Sequence, residues 1–256
     1  MRTTRLSILS LVLTTLLAVA AAAGSPIPGA KYSQLPNNVT GYAYSSQTSL
    51  TYVLSYMADD WTCPDGLPIT DIHWWGSYWL KPNGTTTVYS DWLQNAPNGG
   101  IDGFVISIWD DAALQPGELF RHPGNVLATL NFSGDCGETP VATTQHGKTV
   151  YQYYVDLDPA NWFHQEQAKV YWLSIQAVLN ASADDKQWGW QEALGPSPIG
   201  VGYAVQQFKS MGPGWYVPCG GHDLAFELTA VPEPGGFLAM TVGVIGIVGL
   251  VLKRRA

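Results

Sequence analysis

About ten short runs of β-forming residues, each cut off by Gly, Pro, Asn or Asp, leave this chain little to fold into but sheet. The runs fall at residues 50–57, 68–80, 101–109, 118–122, 125–132, 149–157, 170–179, 187–192, 202–208 and 222–230. The third alternates: Phe104, Ile106 and Ile108 share one face, and Val105, Ser107 and Trp109 share the other. Residues 160–167 suggest one short helix, and no long amphipathic helix or internal repeat is visible. Short strands with turn punctuation must bury one face each against a second layer. The expected fold is therefore all-β, an antiparallel, jelly-roll-like sandwich.

The two ends of the chain read differently. Arg2 and Arg5 precede an apolar run at 6–20, and Ala21-Ala22-Ala23 offers a small-residue cleavage site. That is the pattern of a signal peptide helix over residues 1–23, cut after Ala23. At the other end Pro232-Glu233-Pro234 leads into an apolar stretch, 235–252, closed by Lys253-Arg254-Arg255. Residues 237–252 carry no charge, and as helix they reach about 24 Å at about 1.5 Å per residue. A bilayer needs about 20 residues, and Gly235, Gly236 and a snorkelling Lys253 extend the reach. A transmembrane helix is expected over 236–252, with its basic end in the cytoplasm. Between the ends lies one body, 24–230.

The order of Pro232, Glu233 and Pro234, an apolar helix, then Arg254 and Arg255 resembles the PEP-CTERM sorting signal of exported bacterial proteins. The resemblance implies a chain held in the inner membrane by its tail. It implies that an exosortase, a membrane protease-transpeptidase, then cuts the tail and leaves the body at the cell surface or outside the cell.

Charge narrows what the body can do. Five of the 12 basic residues (Arg2, Arg5, Lys253, Arg254, Arg255) and one of the 20 acids (Glu233) lie in the end segments. The body keeps 7 basic and 19 acidic residues, a net of −12. A domain this acidic does not bind nucleic acid by neutralising phosphates. Three cysteines, Cys63, Cys136 and Cys219, leave at least one thiol outside any intramolecular disulfide. An exported chain can close one bridge, and spacing does not say which.

A further likeness runs through the body. It is carried by Asp59-Asp60-Trp61-x-Cys63, residues 68–77 (Pro-Ile-Thr-Asp-Ile-His-Trp-Trp-Gly-Ser), Phe104-x-Ile106-x-Ile108-Trp109-Asp110, Pro116-Gly117-Glu118-Leu119, Val170-Tyr171-Trp172-Leu173-x-Ile175 and Asp223-Leu224-Ala225-Phe226. Together these resemble an uncharacterised secreted domain of planctomycete-type bacteria. That resemblance implies no activity and no catalytic residue.

The residues themselves favour no enzyme class. His73, His122, His146, His164 and His222 are scattered, without an H-E-x-x-H pair. Ser77 lacks the G-x-S-x-G elbow. Asp71 and His73 share a strand face, as any i, i+2 pair does, so a steadied general base is one reading and a strand pair the other. Asp71, Glu118, Glu166 and Glu227 could supply a glycosidase carboxylate pair only if two of them faced each other across a cleft.

Acid pairs suit a Ca²⁺ ion at strand ends: Asp59-Asp60 foremost, then Asp110-Asp111, Asp156-x-Asp158 and Asp184-Asp185. No D-x-D-x-D-G loop accompanies them, and Asp is also a common turn residue. Trp75 and Trp79 on one strand, and Trp188 and Trp190 around a glycine, could stack sugar rings if exposed. Core filling is the favoured reading for most of them, with Trp188 and Trp190 the pair expected near a rim. The functional expectation is an exported, non-catalytic, structural or adhesive sandwich. The alternative is a carbohydrate-binding module, Ca²⁺-assisted, with a polysaccharide as partner, and a glycan hydrolase ranks third.

Overall fold

The computed structural model of the chain describes residues 26–48, 55–80, 101–114, 116–179, 186–195, 202–208, 214–218 and 221–230. The expected signal peptide and the sorting tail, with Pro232, Glu233, Pro234, Arg254 and Arg255, lie outside the described residues. So do Asp184, Asp185 and Cys219. Among the described residues no helix is long and apolar enough to cross a membrane.

The described chain is all-β. Its strands are β1 (Ala30–Gln34), β2 (Ala43–Ser45), β3 (Gln47–Thr48), β4 (Ser55–Thr62), β5 (Asp71–Leu80), β6 (Ile101–Asp111) and β7 (Pro123–Ser133). β8 (Thr139–Thr143), β9 (Thr149–Asp156), β10 (Val170–Leu179), β11 (Lys186–Gln191), β12 (Val205–Phe208) and β13 (Phe226–Thr229) follow. Where a short helix was expected at 160–167 there is one 3-10 turn, Pro159–Asn161. Residues 118–122, expected as strand, form the loop of the β6–β7 hairpin instead. Arg121 pairs with Asp111 there, and Ala112 N–H donates to the His122 carbonyl at 3.0 Å.

The strands form two sheets. In the seven-stranded sheet β5 is the hub. β9 lies along one edge of β5, with β8 beyond it. Along the other edge β13 and β11 lie end to end, β13 opposite Asp71 to Trp74 and β11 opposite Gly76 to Leu80. β1 continues outward from β13 and β2 from β11. The six-stranded sheet runs β12-β4-β10-β6-β7, with β3 filling in beside β10 and β4. All pairs are antiparallel except β3 with β10.

The alternation on β6 appears in the packing. Phe104, Ile106 and Ile108 are fully buried between the sheets. From the facing sheet Trp74 meets Phe104 edge-on at 5.0 Å, and Trp188 does so at 5.3 Å. Trp61 and Phe226 close a second such contact at 6.4 Å. Edge-to-face pairs of this kind contribute about 0.5–1.5 kcal/mol each beyond their buried area. Two indole N–H groups find acceptors, Trp61 donating to Gln165 Oε1 at 2.8 Å and Trp190 to the Ala225 carbonyl at 2.8 Å, whereas that of Trp74 is buried without one.

Candidate functional site

The tryptophans expected to form a sugar platform are in the interior. Trp188 and Trp190 share a face, as their spacing requires, but it is the face turned to the other sheet, and both are fully buried. The reason is cross-strand: Trp188 stands opposite Tyr78 and Trp190 opposite Gly76. Gly76 has no side chain because the Trp188 ring occupies that space; a Cβ there would lie 2.4 Å from a ring carbon. Trp75 faces outward but is covered by Val150 and Ala225. The Trp79 side chain lies outside the described residues.

The acid pairs do not converge either. On β4, Asp59 and Asp60 point to opposite faces and both are fully buried. Asp59 Oδ1 accepts the Asp60 N–H at 2.9 Å and Oδ2 accepts the Leu224 N–H at 2.6 Å. Burial, then Asp223 and Asp60, push its carboxyl well above the ordinary value. Asp110 binds the backbone and side chain of Asn125 across the β6–β7 hairpin. Asp111 takes Arg121 and the Trp172 indole N–H, the latter at 3.0 Å. These carboxylates fasten loops to strands. Among the described residues no group of three or more His, Cys, Asp or Glu gathers at metal-binding distance.

Chemistry does collect on the outer face of the seven-stranded sheet. One row across four strands reads Ser33, Glu227, His73, Tyr154, each directly opposite the next. The ring of His73 stacks on that of Tyr154 at 5.7 Å and 17°. His73 Nε2 lies 3.3 Å from Asp71 Oδ1. Burial acts to raise the Asp71 carboxyl, but contacts with His73 and Thr229 outweigh it and leave it below its ordinary value. His73 Nδ1 is buried and has no hydrogen-bond partner. Glu227 is fully buried, with Ser33 Oγ donating at 2.5 Å and the Ile27 N–H at 3.2 Å. Burial raises its carboxyl, and those two donors oppose the shift.

Beside this row is a cavity of about 230 Å³ lined by His73, Gly137, Thr139, Gln152 and Tyr154. Its wall is the loop leading into β8. Gly137, at φ 68°, lies so close to the Tyr154 ring that a Cβ would come within 2.6 Å of it. Glu138 anchors the same loop from behind, accepting the hydroxyls of Tyr78 and of Tyr153, the latter at 3.0 Å. Tyr154 remains 48% exposed, so one edge of the cavity is an open aromatic face. The volume is below the roughly 300–1,000 Å³ of drug-sized sites.

Sequence reasoning reached His73 and Asp71 but missed Tyr154, Gln152, Thr139 and Gly137. The strand carrying Tyr154 was legible; its register against β5 was not.

A family model described as a domain of unknown function, DUF7901, matches residues 30–229. Those limits coincide with the first residue of β1 and the last of β13. No curated protein matches the chain.

Proposed function

We propose that this chain, which belongs to the DUF7901 family of domains of unknown function, is an exported, non-catalytic, structural or adhesive protein. Its arginine-led apolar leader and its Pro232-Glu233-Pro234 tail with Arg254 and Arg255 support export, inner-membrane tethering and exosortase-type release. The observation that carries the non-catalytic reading is what its reactive groups already hold. Asp59 holds the Leu224 amide, Glu138 two tyrosine hydroxyls, Glu227 Ser33 and the Ile27 amide, and Asp111 an arginine and an indole. The hydroxyls beside His73 are also committed: Ser33 donates to Glu227 at 2.5 Å and Thr139 to the Gly137 carbonyl at 2.9 Å. Neither is set as a nucleophile for that histidine.

The sandwich reads further as a jelly roll. The orders β1-β13-β5-β9 and β4-β10-β6-β7 interleave as two Greek keys, with the chain crossing between sheets after β2, β4, β5, β7, β9, β10, β11 and β12. Fold alone does not assign a ligand. A second reading, binding of a single sugar ring, is favoured by the cavity under Tyr154. The exposed ring of Tyr154 and the Gln152 amide are groups that recognise a hydroxylated ring.

Two measurements test these readings. Fractionation of producing cells with an antibody to the sandwich should find it at the surface or in the medium, shortened by the mass of the tail. Cytoplasmic retention would overturn the export reading. The full chain, solubilised in mild detergent, goes onto a glycan array with and without EDTA. Turnover of any arrayed glycan would overturn the non-catalytic reading; binding insensitive to Tyr154→Ala would overturn the cavity as its site.

A further inference from the structure

β7 is the outermost strand of the six-stranded sheet, and among the described residues no strand lies on its far side. An open edge offers unpaired N–H and C=O groups, and natural sheets blunt it with proline, charge, bulges or short length. Other edges of this molecule are blunted in those ways. β8 carries Pro140 and a register shift between Pro140 and Ala142. β1 carries Lys31 inside a shift between Ala30 and Tyr32. β2 has three residues and β12 has four. β7 has 11 residues and no charged side chain, and its one proline, Pro123, is its first residue. Its register shifts against β6 all fall before Ala128, so residues 128–133 pair without interruption.

One hydrogen bond tells which backbone groups of β7 face outward. The Gly134 N–H donates to the Asp102 carbonyl at 2.8 Å, one step beyond the Ser133–Gly103 pair. Antiparallel pairs alternate between bonded and non-bonded positions. The amides of Phe132, Leu130 and Ala128 therefore turn to β6, and those of Thr129, Asn131 and Ser133 turn away. Side chains sort in step. Ala128, Leu130 and Phe132 pack on the core, whereas Thr129, Asn131 and Ser133 are exposed.

We propose that β7 pairs with β7 of a second copy of this chain, antiparallel, about a two-fold axis through Leu130. That axis sets Thr129 opposite Asn131 with both outward amides and carbonyls engaged. It sets Ala128 opposite Phe132, a small side chain against a large one, and Leu130 against its own symmetry mate. Within residues 128–132 every apolar residue then meets an apolar residue on the same face, as an isologous contact requires. Charge selects the same partner. The chain carries a net −8, so two copies repel wherever acids face each other. This uncharged strand lets two acidic molecules meet without that penalty. The inference rests on the edge alone and stands whether or not the adhesive reading does.

The test is sedimentation of the full chain in mild detergent over roughly a hundredfold range of concentration, where mass action must show in the dimer fraction. The expected result is a dimer that dissociates on dilution, with slow amide exchange at Thr129 and Asn131. Asn131→Pro removes only an outward N–H and keeps the bonds to β6. It should abolish the dimer while leaving the melting temperature of the monomer in place. If that variant does not fold, Thr129→Lys with Asn131→Lys places like charges opposite each other and should do the same. A dimer that persists in these variants overturns the proposal. So does a wild-type monomer at all concentrations, whether its outward amides exchange fast or are slowed by another part of the same chain.

Discussion

Asp59 on β4 and Leu224 just ahead of β13 join the two sheets, the Asp59 Oδ2 accepting the Leu224 N–H at 2.6 Å with neither residue exposed. The Asp59 carboxyl is raised well above its ordinary 3.8 by burial, then by Asp223 and Asp60. In the folded chain it holds a proton that the unfolded chain has already released. Stability therefore falls as pH climbs above the ordinary carboxylate value and through the raised one, by up to about 1.4 kcal/mol per pH unit for one proton. Glu227, raised from 4.5, adds a slope of the same sign. Asp71, lowered from 3.8, works oppositely: its contribution is lost as pH falls below that value. Urea unfolding across mildly acid to neutral pH should show stability decreasing toward neutrality. Asp59→Asn keeps an acceptor for Leu224 and should flatten that slope.

Glu138→Ala should release the loop that walls the cavity. It leaves the Tyr153 hydroxyl, fully buried with its residue, without its acceptor, a loss of about 1–3 kcal/mol. Limited proteolysis should then cut between residues 134 and 139 while the rest of the sandwich resists. Equal resistance of variant and wild type would disprove the anchoring role.

Gly76→Ala should destabilise by about 1–3 kcal/mol, because a methyl at that position collides with the Trp188 ring at 2.4 Å. Near-ultraviolet circular dichroism should report the displaced indole. Gly202→Ala, where the nearest atom to the new Cβ is Asp60 Oδ1 at 3.8 Å, is the control without a collision.

Cys63 and Cys136 are both free thiols, and burial, then Asp135, push the Cys136 thiol up to about 11. The thiolate is the reactive form. Iodoacetamide should therefore modify Cys136 slowly near neutral pH and faster only as pH approaches that value. Fast labelling at neutral pH would mean a different local environment.

The sheet character of the body and the inward face of β6 were legible because a period of two is written directly in Phe104, Ile106 and Ile108. β1, β2, β3 and β8 were missed, three of them because runs of two to five residues leave no period to read. β8 was also hidden within a Gly- and Thr-rich stretch and contains Pro140. Parity explains the misplaced tryptophans. It showed that Trp188 and Trp190 share a face but not which one, since that depends on strands distant in sequence. The setting of the acid pairs was hidden for a related reason: Asp59 and Asp60 were expected at a strand end, and they lie inside β4 between paired neighbours. The cavity could not be seen at all, because it needs the register of β9 against β5.

The slot between β1 and β5 is filled by β13, which supplies Phe226 and Leu228 to the interior. On a growing chain these residues leave the ribosome after every other described strand. Until they arrive, β1 has no partner and much of one side of β5 stands open. Non-local pairings of this kind form late and slowly. A nascent polypeptide built this way stays unlocked until the last of its described strands has emerged.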